Sequence, residues 1–166
     1  MAADNGNIYY EKISSTKTGL LFIVLTTLFF LLFLWQLNVS SWSSLTVVFL
    51  VLACIFLFYV VNYRTLIIQI TSASLKLSFG IFSWAIPFDN IERCSLDEIP
   101  GFMKYGGAGV HFMMIRKRYR ASFNFLEYPR VVIAFKKKVG PVQDISFSTR
   151  QPGEVLQALS FRRTER

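Results

Sequence analysis

Acidic side chains between residues 89 and 98 are the first candidates for chemistry. Asp89, Glu92, Asp97 and Glu98 lie close together in the chain, and paired carboxylates serve as general acids and bases or bind hard cations. A strand, however, directs alternate side chains to opposite faces, so Glu92 and Asp97 would be separated. We therefore expect solvated carboxylates at strand ends instead of a catalytic or metal site.

His111, the one histidine of the chain, follows a stretch that contains Gly106, Gly107 and Gly109. No motif pairs it with a serine or cysteine nucleophile, so we expect a half-buried structural residue. The glycines lack the Lys-Ser/Thr pair that completes a phosphate-binding P-loop, and they precede a predicted strand instead of a helix. Their predicted role is to let the backbone turn.

The two cysteines, Cys54 and Cys94, fall in parts of the chain with different character, because only Cys54 lies in an apolar run. No disulfide between them is expected, and two thiols with one histidine are too few for a zinc cluster. The sequence therefore predicts no catalytic residue, no cofactor and no metal.

Basic residues form two groups that are the best candidates for a binding surface. Both groups are predicted at hairpin tips, and they comprise Arg116, Lys117, Arg118, Arg120, Lys136, Lys137 and Lys138. Such groups attract anionic headgroups at about 1 kcal/mol per basic residue near a membrane, or the phosphates of nucleic acid. Nucleic acid is the weaker option because no recognition helix or stacking platform accompanies the charge. A solvated turn that resists aggregation is the simplest alternative.

Two uncharged apolar runs, residues 18–37 and 45–61, dominate the first part of the chain. About 20 helical residues cross a hydrocarbon core of about 30 Å, so each run is predicted to form a membrane-spanning helix. Neither run has the polar face typical of a helix in a soluble core. A cleaved signal peptide is not expected, since residues 1–17 are mostly polar and no small-residue cleavage site follows the first run.

Charge predicts the orientation of this hairpin. Lys12, Lys17 and Arg64 flank its outer ends, whereas the connecting loop is uncharged, and positive residues favour the cytoplasmic side. We predict a multi-pass protein of the cell membrane with a loose cytoplasmic tail (residues 1–17), a transmembrane hairpin (residues 18–62) and a cytoplasmic domain (residues 63–166). The domain contains 16 Lys or Arg and 8 Asp or Glu, and so carries the whole net charge of +8.

After residue 62, apolar residues alternate with period two, which indicates strands. We predict seven or eight antiparallel strands in a bent sheet or partly open barrel. Pro152 marks the start of a C-terminal helix whose Val155, Leu156 and Leu159 would cover one opening. Residues 99–109 are predicted to form a long loop because they contain one proline and four glycines, which interrupt helices and strands.

Several short motifs, in this order of elements, resemble the PH-like (pleckstrin-homology-like) domains of small prokaryotic proteins with two N-terminal spans. The motifs are Gly80-Ile81-Phe82, Ile86-Pro87-Phe88-Asp89-Asn90-Ile91, Tyr105-Gly106-Gly107-Ala108-Gly109-Val110 and Ser148-Thr149-Arg150-Gln151-Pro152. The resemblance covers roughly residues 64–161. It implies a PH-like fold more than an activity.

We therefore expect a non-enzymatic, membrane-anchored module that presents an interaction surface to a cytoplasmic protein partner or to membrane lipid. An accessory subunit of a larger membrane complex, such as a transporter, is the alternative, and a homo-oligomer is also compatible with the sequence. The uncharged spans argue against a conduction path through this chain itself.

The short linker after the second span starts the first strand of the domain at the membrane, and each following strand reverses direction. Counting these reversals places five apolar or aromatic residues beside the bilayer, where such residues are favourable: Ile81, Phe82, Phe102, Met103 and Tyr105. The same count places both basic groups together at the far end, where they suit an acidic protein partner better than the anchoring membrane.

Overall fold

The computed structural model describes residues 8–97, 109–115 and 117–164, with side chains described as far as Ser160. The first elements are a short strand, β1 (Tyr9–Ser14), and two helices, α1 (Thr16–Ser40) and α2 (Ser44–Asn62). Both helices are long and apolar enough to cross a membrane, by length and composition. The prediction of two long apolar helices is therefore confirmed.

Aromatic rings and a polar cap hold the two helices side by side. Phe29 stacks on Phe56 with ring centroids 5.4 Å apart, and Phe22 packs against Tyr59 at 5.2 Å. At the start of α2, the side chains and backbone of Ser43 and Thr46 form a capping box, which satisfies amide groups that the helix itself leaves unpaired. The tight turn between the helices thus needs no charged residue.

Strand β1 pairs antiparallel with β2 (Thr65–Ile70), from Tyr9 opposite Ile70 to Ser14 opposite Thr65. The expectation of a loose tail is therefore wrong for these six residues. They contain no turn residue and no strong periodicity, so their sequence does not predict a strand. The two long helices are inserted between neighbouring strands of one sheet. Two paired strands hold the hairpin to the domain more tightly than one linker would.

A buried carboxylate strengthens this attachment. Glu11 of β1 is 8% exposed and accepts hydrogen bonds from the Thr149 hydroxyl at 2.6 Å and the Arg150 backbone N–H at 2.9 Å. Tyr9 also donates its hydroxyl to Glu11 at 2.8 Å, and burial together with this carboxylate raises the pKa of Tyr9. The strand before the helices is thus joined to the segment that leads into the C-terminal helix.

The first sheet is a simple antiparallel arrangement in the order β1-β2-β3-β4. Its remaining strands are β3 (Ser74–Phe79) and β4 (Phe82–Pro87). Alternate residues of β2 and β3 are completely buried, as the period-two pattern predicts. A 3₁₀ turn at Phe88–Asn90 leads from this sheet into the second.

The second sheet contains five strands in the order β5-β8-β9-β7-β6. These strands are β5 (Ile91–Leu96), β6 (Gly109–Ile115), β7 (Arg118–Asn124), β8 (Arg130–Val139) and β9 (Val142–Ser148). β7 lies parallel to β9, with Arg120 opposite Asp144 and Phe123 opposite Phe147. The eight described strands after residue 62 agree with the seven or eight predicted there, and β1 adds a ninth. The expectation of one antiparallel sheet is wrong, because the strands form two sheets and the β7–β9 pair is parallel. β5 occupies one edge of the β8–β9 hairpin, so β7 pairs with the other edge.

One hydrophobic core joins both sheets and the C-terminal helix α3 (Pro152–Thr164). Phe79 of the first sheet meets Phe125, which follows β7, with ring centroids 4.9 Å apart. From α3, Val155 is completely buried and Leu159 is 4% exposed. The predicted position of this helix over the sheet is confirmed by its packing against β5 and β8.

Leu159→Ala is expected to lower the free energy of unfolding by about 2 kcal/mol, the lower end of the range for a buried leucine. Leu159 also lines an open cleft, so the cost of a new closed cavity is small. Thermal unfolding of the full chain in detergent measures the change, with exposed Gln157→Ala on the same helix as the control. A loss below about 0.5 kcal/mol would show that α3 contributes little here.

Candidate functional site

A cleft of about 650 Å³ lies between α3 and the second sheet, within the size range of small-molecule and peptide sites. Its apolar lining consists of Phe88, Ile91, Leu156 and Leu159. Its polar lining consists of Asp89, Arg93, Cys94, Lys136, Gln157 and Ser160. A lining of four apolar and six polar residues suits an amphipathic ligand.

A bulge in β5 shapes one wall of the cleft. Ile91 pairs with Phe135 and Arg93 pairs with Ala134, so β5 carries one extra residue at this point. Bulges redirect side chains and are frequent beside functional sites. Ile91 and Cys94 consequently lie opposite Phe135 and Ile133 on one face and both line the cleft, although residues three apart in a regular strand face opposite sides.

The exposed charges around this cleft favour an anionic ligand. Arg93 and Lys136 are both exposed, and Lys137 and Lys138 follow directly along β8. Asp89 is the one carboxylate among the lining residues, so the described rim carries more positive than negative charge. Ligands with acidic groups are attracted to such a rim.

The three lysines do not form a hairpin tip, because β8 continues through them to Val139 and the turn comes at residues 140–141. Between the pairs Ala134–Asp144 and Val139–Val142, β8 contains four residues and β9 only one. The extra residues bulge outward and expose Lys136, Lys137 and Lys138.

Asn90 holds this lysine segment in place. Its side-chain amide donates to the Lys137 carbonyl oxygen at 2.9 Å and its Oδ1 accepts from the Lys137 N–H at 2.8 Å. The nearby Phe88 N–H donates to the Ala73 carbonyl oxygen at 3.2 Å, at the end of β3 and β4 that lies away from α2. The far-end position expected for the lysines therefore agrees with these contacts.

The other basic group is split by the structure. Lys117 is exposed in the β6–β7 turn with a φ of 65°, and Arg118 is half-buried beside Asp144 with a nitrogen–oxygen distance of 2.8 Å. Arg120 of β7 and Ala134 of β8 both lie opposite Asp144 of β9. Arg118 and Lys136 are each two residues further toward the same end of the sheet, so the two basic groups share one end, as predicted. Arg116 lies outside the described residues.

Arg120 does not belong to an exposed basic surface. It is 8% exposed and its guanidinium lies 3.0 Å from Asp97 and 3.6 Å from Asp144. The prediction that placed Arg120 in the surface group is wrong because alternation along β7 directs this side chain to a buried face. The buried carboxylates neutralise its charge.

Arg120 is part of a buried polar face that sequence reasoning missed. Ser122 and Ser146 share a hydrogen bond at 3.1 Å, and Asn124 donates to Ser146 at 3.2 Å. Among the described residues, five buried atoms of this face have no hydrogen-bond partner: Asp97 Oδ2, Arg120 Nε, Asn124 Oδ1 and the two ring nitrogens of His111, which lies opposite Ser122. Ordered water would satisfy such atoms.

His111 lies opposite Ser122 on the edge strand β6. Burial, and secondarily the positive charge of Arg130, lower its pKa below the usual value for histidine. A lowered pKa favours the neutral imidazole. A neutral, half-buried histidine agrees with the structural role expected for it.

The acidic residues do not converge. Asp97 pairs with Arg120 just after β5, whereas Asp89 precedes the opposite end of that strand and lines the cleft. Glu92 is exposed on β5, and Glu98 lies outside the described residues. Within the described ranges, no group of three potential metal ligands occurs.

Two of the predicted membrane-proximal residues lie at the end of α2. Phe82 stacks on Tyr63, which follows α2 directly, with ring centroids 6.2 Å apart, and the neighbouring Ile81 is 71% exposed. Phe102, Met103 and Tyr105 lie outside the described residues.

Comparison with known proteins finds no matching family model, no matching curated protein and no matching solved structure.

Proposed function

We propose that this chain is a non-enzymatic, membrane-anchored PH-like module that presents an interaction surface to a cytoplasmic protein partner or to membrane lipid. The cleft beneath α3 is the observation that carries the proposal, because its apolar lining and basic rim can bind an amphipathic acidic segment. Of the two classes, a protein segment is the better match, since the rim lysines lie at the end of the domain away from α2.

The PH-like assignment is supported by the order of the secondary-structure elements along the chain. Two packed sheets followed by one C-terminal helix agree with the coarse layout that the sequence motifs imply. The parallel pairing of β7 with β9 and the strand order of the second sheet depart from a simple strand meander. The PH-like assignment therefore depends on the two packed sheets and the C-terminal helix, whereas the proposed binding function depends on the cleft.

Membrane anchoring is supported by the length and composition of α1 and α2. Attachment through both β1 and β2 would hold the domain at a fixed height and orientation. Because the domain does not have to be oriented when a partner binds, the entropic cost of binding is lower.

Both termini are expected on the cytoplasmic side, because Lys12, Lys17 and Arg64 flank the helices and the connecting turn is uncharged. In a chain carrying Cys54→Ser and Cys94→Ser, Ser41→Cys should react with an impermeant thiol reagent in intact cells. Gln157→Cys should react only after permeabilisation. The opposite labelling pattern would mean that the orientation is inverted.

Charge reversal tests the cleft. The triple substitution Lys136→Glu, Lys137→Glu and Lys138→Glu is expected to weaken binding of a synthetic Glu- and Phe-rich peptide by more than about tenfold at low salt. Binding is measured on the full chain in zwitterionic nanodiscs. Lys76→Glu, an exposed change on the first sheet, is the control and should leave binding unchanged.

Two other outcomes would count against the protein-partner form of this proposal. If phosphatidylserine vesicles bind and the peptide does not, the rim recognises lipid headgroups. If peptide binding responds equally to the triple substitution and to Lys76→Glu, the attraction comes from overall charge and the cleft is not the site.

An accessory subunit of a larger membrane complex is the second candidate. It is favoured by the many large apolar side chains that α1 and α2 leave exposed, which offer a partner extensive packing surface. Co-purification in mild detergent separates the two candidates, because a stoichiometric integral-membrane partner supports the subunit role.

A further inference from the structure

A second groove, of about 760 Å³, lies between α2 and the edge strand of the second sheet. One wall is a stripe along α2, and the other belongs to the domain. The lining residues are Leu50, Val51, Cys54, Ile55, Phe58, Tyr59, Tyr63, Phe82, Val110 and Phe112. None of them carries a charge.

The domain wall exists because β6 extends beyond the hydrophobic core. Phe112 pairs with Ala121 and Met114 pairs with Tyr119, so both lie on the face of the sheet that buries Ala121 and Phe123. Yet Phe112 is 52% exposed and Met114 is 72% exposed. Large apolar residues on the core face of an edge strand are normally covered. Here Phe112 instead lines the groove beside α2.

We propose that this groove binds an acyl chain of a bilayer phospholipid. The proposal depends on the membrane location proposed above, because Leu50, Cys54 and Phe58 then lie within or near the hydrocarbon layer. The groove is continuous with that layer at one end and is bounded by Tyr63, Phe82 and Phe112 of the domain junction at the other. A flexible apolar chain can follow both walls.

The side chains along α2 favour a lipid over a partner helix. Helices in membranes associate closely through small residues spaced four apart, whereas this stripe has Leu50, Cys54 and Phe58 at that spacing, with Val51, Ile55 and Tyr59 beside them. Such bulky, uneven side chains keep a helix backbone at a distance. A flexible acyl chain adapts to them.

Quenching by brominated lipid tests the groove in the full chain. Trp35, Trp42 and Trp84 are first replaced by phenylalanine, and one reporter is introduced at a time: Phe112→Trp in the groove, Phe30→Trp in α1, or Leu96→Trp on the opposite edge strand. The chains are reconstituted in phosphatidylcholine with or without bromine atoms in mid-chain. The Phe112→Trp and Phe30→Trp reporters should be quenched to a similar degree, and the Leu96→Trp reporter should not.

A filling substitution shows whether the groove itself is responsible. Cys54→Phe adds bulk to the lining and should remove about half or more of the quenching seen with Phe112→Trp. Leu57→Phe is the matched control, because Leu57 is also exposed on α2 but does not line the groove. It should leave the quenching unchanged.

Each contrary result has a distinct meaning. Quenching of Phe30→Trp without quenching of Phe112→Trp would overturn the acyl-chain site and leave membrane anchoring intact. Absence of quenching at both positions would overturn the membrane location and the site together. Quenching that is insensitive to Cys54→Phe would mean that β6 only touches the bilayer surface. An oxidative crosslink between Cys54 residues of two chains would assign the groove to a second copy.

Discussion

Asp144→Ala is expected to lower the free energy of unfolding by about 3–5 kcal/mol, the cost of removing one partner from a buried ion pair. The Asp144 side chain is 3% exposed and accepts contacts from Arg118 at 2.8 Å and Arg120 at 3.6 Å. Without it, Arg120, which is largely buried, keeps one neutralising carboxylate among the residues that the structure describes, that of Asp97. Thermal unfolding of the full chain in detergent measures the loss.

Two variants identify the cause of this loss. Arg118→Ala should cost less than Asp144→Ala, because the Arg118 side chain is 34% exposed and its charge is better solvated. In the double variant Asp144→Ala with Arg118→Ala, the loss should be smaller than the sum of the two single losses, because both single variants break the same Arg118–Asp144 pair. A double variant whose loss equals the sum of the single losses would contradict a direct ionic interaction between these residues.

The buried ion pairs also show where sequence reasoning fails in this protein. Polar residues at alternate positions of β7 and β9 predict a solvent-exposed face, because alternation identifies the two faces of a strand but not what covers them. Whether Arg120 is exposed depends on residues distant in the chain, such as Asp97 and Asp144. The pairing of β7 with β9 is equally non-local. Six-residue strand β1 lacks a local signal and gains its order from β2.

Local physical chemistry explains the features that could be predicted. The two long helices follow from uncharged apolar runs, since nothing but a helix satisfies the backbone of such a segment in a membrane. Most strands follow from period-two alternation, and α3 follows from Pro152 and its apolar face. The cleft could not be predicted because it needs both the β5 bulge and the packing of α3. Both depend on tertiary structure.

The attachment of the helices to the domain makes one glycine critical. Gly80, in the β3–β4 turn, has a φ of 59° and lies against the end of α2. A Cβ at this position would overlap the carbonyl oxygen of Asn62 and lie 2.9 Å from its Cα. Because these are backbone atoms of the helix end, no side-chain rotation can relieve the overlap.

Gly80→Ala is therefore expected to cost about 3–5 kcal/mol, from left-handed backbone strain of about 1–2 kcal/mol and the clash with α2. Gly140→Ala is a closely matched control, because Gly140 has a φ of 60° in the β8–β9 turn and nothing lies within 4 Å of the place that a Cβ would occupy there. It should cost only the strain of about 1–2 kcal/mol. The difference between the two variants isolates the contact between domain and helix.

Pulsed electron paramagnetic resonance shows whether the clash also loosens the domain. Nitroxide labels at Ser41→Cys and Lys137→Cys, in a chain with Cys54→Ser and Cys94→Ser, should lie about 50 Å apart, from the length of α2 plus one strand. Gly140→Ala should leave the distance distribution narrow. Gly80→Ala should broaden it, because the β3–β4 turn can no longer lie against α2. Equal distributions and equal stabilities in the two variants would mean that the domain does not depend on this contact, and that β1 and β2 alone hold it to the helices.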